Sequence, residues 1–130
     1  IARHTDGTLQ PNVNTPEFPE YLQWFHYCEG MVMPPVNTIV VQTKLLPEDR
    51  RNAEVLGQAQ RLLTKALAPV DKAVERREYL IGDFSGADIM LGHACFMSRR
   101  LGCFTGEMTA LDVYVNRLEA RPAFQTGIQT

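Results

Sequence analysis

The stretch Phe84-Ser85-Gly86-Ala87-Asp88-Ile89 decides the fold, because it carries the signals of a helix start. A serine just before a helix can accept a hydrogen bond from a first-turn N–H, and an acid three residues later can reach back to the serine N–H. Ser85 and Asp88 have that spacing, although Asp is shorter than the usual Glu or Gln, and Phe84 and Ile89 have the spacing of a hydrophobic staple. The stretch therefore predicts a structural capping box with a helix beginning directly after Ser85.

The helix that follows is predicted to be central. Residues 87–97 (ADIMLGHACFM) are apolar on nearly all sides of a helical projection, which is typical of a buried helix. Gly102 is a plausible stop. On such a helix, the simplest interpretation of His93 is a buried histidine whose hydrogen bonds are satisfied.

Two helical segments are predicted before it. The first covers residues 20–34 and is interrupted by Pro34 and Pro35. The β-branched run 36–43 is predicted as its bent continuation, because the sequence has no second strand-like run to pair with it. The second is predicted to start at 46–49 (LPED), where proline and acids suit a first helical turn. Its apolar stripe passes Pro69 in phase, which indicates a kink rather than an end; the stripe comprises Val55, Leu56, Ala59, Leu62, Leu63, Ala66, Leu67, Val70 and Val74.

A last helix is predicted over residues 109–120, with Arg121-Pro122 as its end. Its apolar face consists of Leu111, Tyr114, Val115 and Leu118. Taken together, the segments predict an all-α protein, a bundle of about five helices.

Composition narrows the function classes. The chain has 130 residues, of which 13 are Lys or Arg and 15 are Asp or Glu, giving a net charge of −2. That balance lacks the basic footprint of a nucleic-acid partner, and no apolar run reaches the roughly 20 residues of a membrane helix. Three cysteines, an odd count, favour reduced thiols and a cytoplasmic location.

A reaction centre is not visible in the motifs. His26, Cys28 and Glu29, and His93 with Cys95, come nearest to a metal site, but neither group offers three or four convergent ligands, so no metal is expected. Cys28 and His26 would face different ways on a helix, and the common nucleophile and phosphate-loop motifs are absent. The five methionines are most simply core residues, or else they line an adaptable apolar pocket: Met31, Met33, Met90, Met97 and Met108.

Several motifs together resemble one family. The segment 24–30 (WFHYCEG) with its MPPV bend, the segment 79–89 (YLIGDFSGADI) and the ending 117–124 (RLEARPAF) are similar to the C-terminal helical domain of a bacterial cytosolic glutathione S-transferase. The resemblance covers residues 15–124 and implies a thioredoxin-like, glutathione-binding domain before this one. We accordingly expect residues 1–17 to be the end of a preceding domain and a linker, and residues 18–130 to be the helical domain.

The resemblance also implies roles for individual residues. No catalytic residue is carried over, because in the family it belongs to the preceding domain. The implied wall of the pocket for a small apolar electrophile comprises Tyr27, Met31, His93 and Met97, with His26 near glutathione. Glutathione is then a co-substrate rather than a tightly bound cofactor. A homodimer with the first two helices at its interface is implied as well, together with a role in detoxification.

Three functions remain open at this point. The first is a glutathione transferase that conjugates glutathione to small apolar electrophiles, with this chain alone inactive. The second is a non-catalytic protein-interaction module of the same fold. The third is a ligand-carrying or stress-response relative with little transferase activity. Fold resemblance alone does not choose among them.

Overall fold

A computed structural model describes residues 7–128 of the chain. Residues 1–6 of the expected domain end and linker (residues 1–17) lie outside this described part. The segment before the first helix consists of turns and irregular backbone, and the Leu9 carbonyl accepts a hydrogen bond from Gly86 N–H at 2.8 Å. This approach segment is therefore attached to the start of the central helix.

Six α-helical segments form five helical bodies within residues 7–128. Two segments, α1 (Glu17–Tyr27) and α2 (Met33–Val40), are joined by a π-helical turn at Cys28–Val32 and followed by another at Val41–Leu45. The other bodies are α3 (Ala53–Val74), α4 (Gly86–Arg100), α5 (Thr109–Glu119) and α6 (Pro122–Ile128). The described part contains no strand beyond isolated bridges within the turn 79–83, so the predicted all-α architecture is confirmed.

The continuous helical path from α1 to α2 follows from two prolines. Pro34 and Pro35 stand at the start of α2 and have no N–H to give to the preceding turn. The turn before them is wider than an α-helical turn, and Met33 N–H donates to the carbonyl of Cys28, five residues back. The chain thus stays helical across the prolines, which confirms the predicted continuation.

The predicted helix start at 46–49 is wrong. Glu48–Arg50 is a single 3-10 turn, and Arg51 is extended, with φ −74° and ψ 140°. The cap of α3 is Asn52, whose side chain accepts from Val55 N–H at 3.1 Å, while Gln42 Oε1 accepts from Asn52 N–H at 2.7 Å. Proline and acids suit a 3-10 turn as well as an α-helix, and the side-chain cap at Asn52 sets the actual start.

Helix α3 runs through Pro69 as predicted, but its buried face is narrower than the predicted stripe. Val55 is 38% exposed and Leu62 is 52% exposed, so both point away from the core. The predicted stripe is too wide at these two positions, which lie seven residues apart on one side of the helix. The remaining stripe residues are buried or partly buried against the other helices.

Helix α5 buries all four predicted residues, and Arg121-Pro122 separates it from α6. Helix α6 was not predicted. Pro122 is both the barrier to α5 and the first residue of α6, where proline is well tolerated, and the Arg121 carbonyl accepts from Gln125 N–H at 3.1 Å. None of the residues of α6 is fully buried.

Helix α4 lies at the centre of the bundle, as predicted, and packs against α1, α2 and α5. Its close approach to α5 requires Gly92, because a Cβ there would overlap Leu118 Cδ1 and lie 3.2 Å from the Tyr114 hydroxyl. The predicted stop at Gly102 is confirmed by its positive φ of 72° after the last turn of α4.

Candidate functional site

The predicted capping box opens α4. Ser85 Oγ accepts from Ala87 N–H at 3.3 Å, and Asp88 Oδ2 accepts from Ser85 N–H at 2.9 Å. Ser85 Oγ also donates to Asp88 Oδ2 at 3.1 Å. Both side chains are buried, so the box satisfies first-turn donors that water does not reach.

Asp88 does more than close the box. Its second oxygen, Oδ1, accepts from Leu80 N–H at 3.0 Å and from the Tyr114 hydroxyl at 2.8 Å. One carboxylate therefore connects the turn before α4, the start of α4 and the middle of α5. Burial raises the pKa of Asp88 above its usual range, although these hydrogen bonds act in the opposite direction. Burial also raises the pKa of Tyr114, which keeps its phenol protonated as the donor.

The flanking residues of the box have different surroundings from those of a simple staple. Ile89 is 47% exposed. The ring of Phe84 packs edge-on against Tyr79, with centroids 5.3 Å apart, and the Arg121 guanidinium lies 3.5 Å from its centroid. Phe84 is thus the middle of a stack that joins the turn before α4 to the start of α6.

A cavity of about 720 Å³ opens beside this stack. Its walls come from the π-helical turn after α1, the first residue of α2, the first half of α4, the end of α5 and from α6. The apolar lining consists mainly of Leu9, Met33, Phe84, Ile89, Met90, Leu118, Phe124 and Ile128. The volume and the apolar lining suit a small organic molecule.

Four ionisable side chains other than cysteine border the same cavity: Glu29, Asp88, His93 and Arg121. Glu29 and His93 are exposed, whereas Asp88 is buried under its four hydrogen bonds. Cys28 lines the cavity too, and its thiol donates to the Met90 carbonyl at 3.3 Å. Burial, with the nearby charge of Glu29 adding to it, raises the pKa of Cys28 to about 11.

The structure places one of the four predicted pocket residues, His93, in the cavity lining. His93 is exposed, so its interpretation as a buried histidine is wrong; it points out from α4 and not into the core. The Tyr27 hydroxyl donates to the Ala66 carbonyl of α3 at 3.0 Å, which turns this side chain towards α3.

The other predicted positions lie elsewhere. Met31 is exposed, and Met97 is partly buried against the core. His26 is exposed, with its ring edge-on to Phe25 at 5.5 Å between centroids. The assignment of Tyr27, Met31, Met97 and His26 to ligand contacts stays a prediction.

The residues that do line the cavity are near neighbours of the predicted ones. Met33 follows Met31 by two positions, and Met90 lies one turn before His93 on α4. The set of five methionines that the sequence associates with a possible apolar pocket includes both Met33 and Met90. Phe124 carried no pocket signal, since a helix over residues 122–128 was not predicted.

Within residues 7–128, no three His, Cys, Asp or Glu side chains are grouped so as to hold a metal ion. None of the helices in this part of the chain has the length and apolar character needed to cross a membrane.

Solved structures that are similar to this chain include glutathione S-transferases. The theta class glutathione S-transferase of the citrus canker pathogen Xanthomonas axonopodis pv. citri, in its apo form, aligns over 99% of this chain and 69% of its own, with a TM-score of 0.85 and 24% identity. The same enzyme with glutathione bound gives 0.83 and 25%, over 99% of this chain and 68% of its own. BphK, a bacterial glutathione S-transferase, gives 0.82 and 22%, over 98% of this chain and 62% of its own.

A plant structure, a glutathione transferase from Populus trichocarpa, gives a TM-score of 0.82 at 20% identity over 99% of this chain and 64% of its own. No protein-family model matches the sequence, and no curated protein matches it. The chain has the C-terminal helical fold of the glutathione S-transferases, which confirms the predicted fold.

Proposed function

We propose that this chain is the electrophile-binding helical part of a glutathione transferase. The observation that carries the proposal is the cavity of about 720 Å³ with apolar walls, which lies among the α1–α2 path, α4 and α6. The fold shared with solved glutathione S-transferases supports it, one of them with glutathione bound. The chain spans about two-thirds of those structures, so the glutathione site is proposed to lie outside these residues.

The proposed chemistry is a displacement at an electrophilic carbon. Glutathione sulfur, held as thiolate by lowering a thiol pKa from about 8.5 towards neutrality, forms the new C–S bond while a leaving group such as halide departs. The residues of this chain contribute shape. Met33, Met90 and Phe124 hold the apolar electrophile and exclude water, which brings its carbon to the sulfur at a fixed orientation.

Filling the cavity tests this proposal in the complete protein that contains these residues. Ile89 lines the cavity and is half exposed, so Ile89→Trp adds bulk to the cavity with little effect on the core. With chlorodinitrobenzene as the electrophile, we expect kcat/KM to fall about tenfold or more, while KM for glutathione stays within about twofold.

The matched control is Val113→Trp, which places the same side chain at an exposed position of α5 outside the cavity lining. We expect it to leave both parameters unchanged. An unchanged kcat/KM in Ile89→Trp would show that the electrophile binds elsewhere.

Calorimetry on the 130-residue chain tests the division of labour. We expect no tight binding of glutathione, because its site is proposed to lie in the other part of the enzyme. Micromolar binding here would contradict that proposal. A homodimer, a cytoplasmic location and a role in detoxification are proposed with the same function.

A further inference from the structure

We infer that Arg121 makes the cavity selective for apolar molecules that carry one anionic oxygen group, a carboxylate or a sulfonate. The inference rests on the proposed function, because it names the ligand class of the same cavity. It concerns binding only, so it can be tested in the absence of glutathione.

Arg121 is held in place without a carboxylate. Its guanidinium lies 3.5 Å from the Phe84 ring centroid and 5.8 Å from that of Tyr79, and one nitrogen donates to the Tyr79 hydroxyl at 3.1 Å. An arginine side chain has five N–H donors. Among the described residues only the Tyr79 hydroxyl takes a hydrogen bond from it, so the guanidinium is fixed in position while most of its donors remain available.

Among the other anchored arginines of the described chain, two have acidic partners. Arg77 pairs with Glu20 at 2.6 Å, and Arg99 pairs with both Asp112 and Glu119. Within residues 7–128, no carboxylate lies within 4.0 Å of Arg121. Arg121 is therefore a fixed cation on the wall of an apolar cavity whose anionic partner the described chain does not supply.

The other charged groups of the lining set the limits of this selectivity. Asp88 faces the cavity, but four hydrogen bonds from its own surroundings hold its carboxylate. Glu29 is exposed, and its charge opposes an anionic ligand. His93, also exposed, adds attraction only when it is protonated. An anionic ligand is therefore selected only if its attraction to Arg121 exceeds its repulsion by Glu29. Two variants, each of which removes one of these charges, measure the two contributions separately.

A guanidinium fork binds a carboxylate or sulfonate through charge-assisted hydrogen bonds that strengthen where water is excluded. The apolar body of the same ligand would lie against Met90 and Phe124, which share the cavity with Arg121. An apolar molecule without the anionic group would make only the apolar contacts and none of the hydrogen bonds to Arg121.

Two fluorescent probes of similar shape test this in the 130-residue chain. Anilinonaphthalene sulfonate carries the anionic group, and N-phenylnaphthylamine is neutral. In Arg121→Gln we expect the Kd of the sulfonate to rise about tenfold or more, because the lost hydrogen bonds are charge-assisted, and the Kd of the neutral probe to stay within about twofold. In Glu29→Gln we expect tighter sulfonate binding and no change for the neutral probe.

Three further variants make the result decisive. Ile89→Trp is expected to weaken both probes, which locates them in the cavity, and Arg61→Met on α3 changes net charge by the same unit at an exposed site and is expected to affect neither probe. Arg121→Lys keeps the charge without the fork and is expected to fall between wild type and Arg121→Gln. If Arg121→Gln does not fold, the sulfonate affinities of Arg121→Lys and Glu29→Gln test the inference instead. Equal losses for both probes, or no loss for the sulfonate, would overturn the inference, as would Ile89→Trp leaving both probes bound.

Discussion

Asp88 is the residue on which three parts of the bundle depend. Its carboxylate accepts from Leu80 N–H, Ser85 N–H, Ser85 Oγ and the Tyr114 hydroxyl. Asparagine has the same shape but replaces one acceptor oxygen by an amide donor, so two of these donors would face another donor. We expect Asp88→Asn to lower the free energy of unfolding by about 2–4 kcal/mol, measured by urea denaturation at neutral pH. Ser85→Ala, which removes only one member of the box, should cost about 1 kcal/mol.

The pH dependence of this effect has a definite sign. Burial raises the pKa of Asp88 in the folded state, so the folded protein holds this proton more tightly than the unfolded chain. The stabilisation that comes from this tighter proton binding is fully present below the ordinary Asp pKa of about 4. It is lost as the pH rises through the raised pKa of the folded state. The stability difference between wild type and Asp88→Asn should therefore shrink between acidic and neutral pH. A difference that grows with pH would mean that the hydrogen bonds outweigh burial.

Gly92 and Gly57 are two helical glycines at which an added Cβ has different surroundings. A Cβ on Gly92 would overlap Leu118 Cδ1, while a Cβ on Gly57 would meet only the flexible end of Arg61, at 3.4 Å. We expect Gly92→Ala to destabilise by about 1–3 kcal/mol through overpacking between α4 and α5. Gly57→Ala should stabilise by up to about 1 kcal/mol, since alanine favours a helix interior. Thermal unfolding of both variants measures the two signs, and a stabilised Gly92→Ala would contradict the close packing.

What the sequence reveals about these residues depends on distance along the chain. The Ser85–Asp88 box was predictable because both partners lie within one helical turn. The bonds from Leu80 and Tyr114 to Asp88 were not, because the turn before α4 and the position of α5 depend on the packing of the whole bundle.

Helix α5 has a start that its own residues do not cap. Its N-cap is Met108, which has no side-chain acceptor, and the Leu111 N–H donates instead to Asp71 Oδ1 of α3 at 2.7 Å. The carboxylate also lies at the positive end of the helix dipole. We expect Asp71→Ala to lower the free energy of unfolding by about 1 kcal/mol and to speed hydrogen exchange at the start of α5. Asp71→Asn keeps an acceptor oxygen and should cost less; equal costs would argue against the hydrogen bond.

The two errors in helix prediction have different local causes. The segment 46–49 has the composition of a helix start, yet the chain forms only one 3-10 turn there. The α-helix begins later, after the cap at Asn52. Helix α6 has seven residues, too few for an apolar period to stand out, and its first residue is a proline that also ends α5. Local composition marks where a helix can begin; the caps decide where it does.

At the scale of the whole molecule, a group of apolar side chains faces outwards on the first two helical bodies. It comprises Leu22, Val41, Leu45, Val55 and Leu62. These are the bodies at which the resemblance places a homodimer interface, and outward-facing apolar groups of this kind suit contact with another protein surface. We expect Leu62→Arg to reduce self-association in sedimentation measurements, with Lys65→Met at a nearby exposed position of α3 as a control. A chain that is monomeric before the substitution would contradict the proposed homodimer of this domain.

The candidate site was predictable as a region but not as a set of residues. The helices that bound it were expected apart from α6, and the methionine set contained Met33 and Met90. Which side of each helix faces the cavity depends on rotations set by distant packing, such as the Tyr27 contact with the Ala66 carbonyl. The sequence marks Arg121 only as a helix end, because its contact with Phe84 joins segments 37 residues apart (121 − 84).

The protonation of the Cys28 thiol determines whether this side chain would react with a ligand in the cavity. The cavity is proposed to bind electrophiles, and an ionised cysteine on its wall would be expected to react with them. Burial raises the pKa of Cys28 to about 11, so its thiol is protonated at neutral pH, and it donates a hydrogen bond to the Met90 carbonyl. We therefore expect Cys28 to react slowly with the electrophiles that this cavity is proposed to hold, so that the sulfur of glutathione remains the nucleophile.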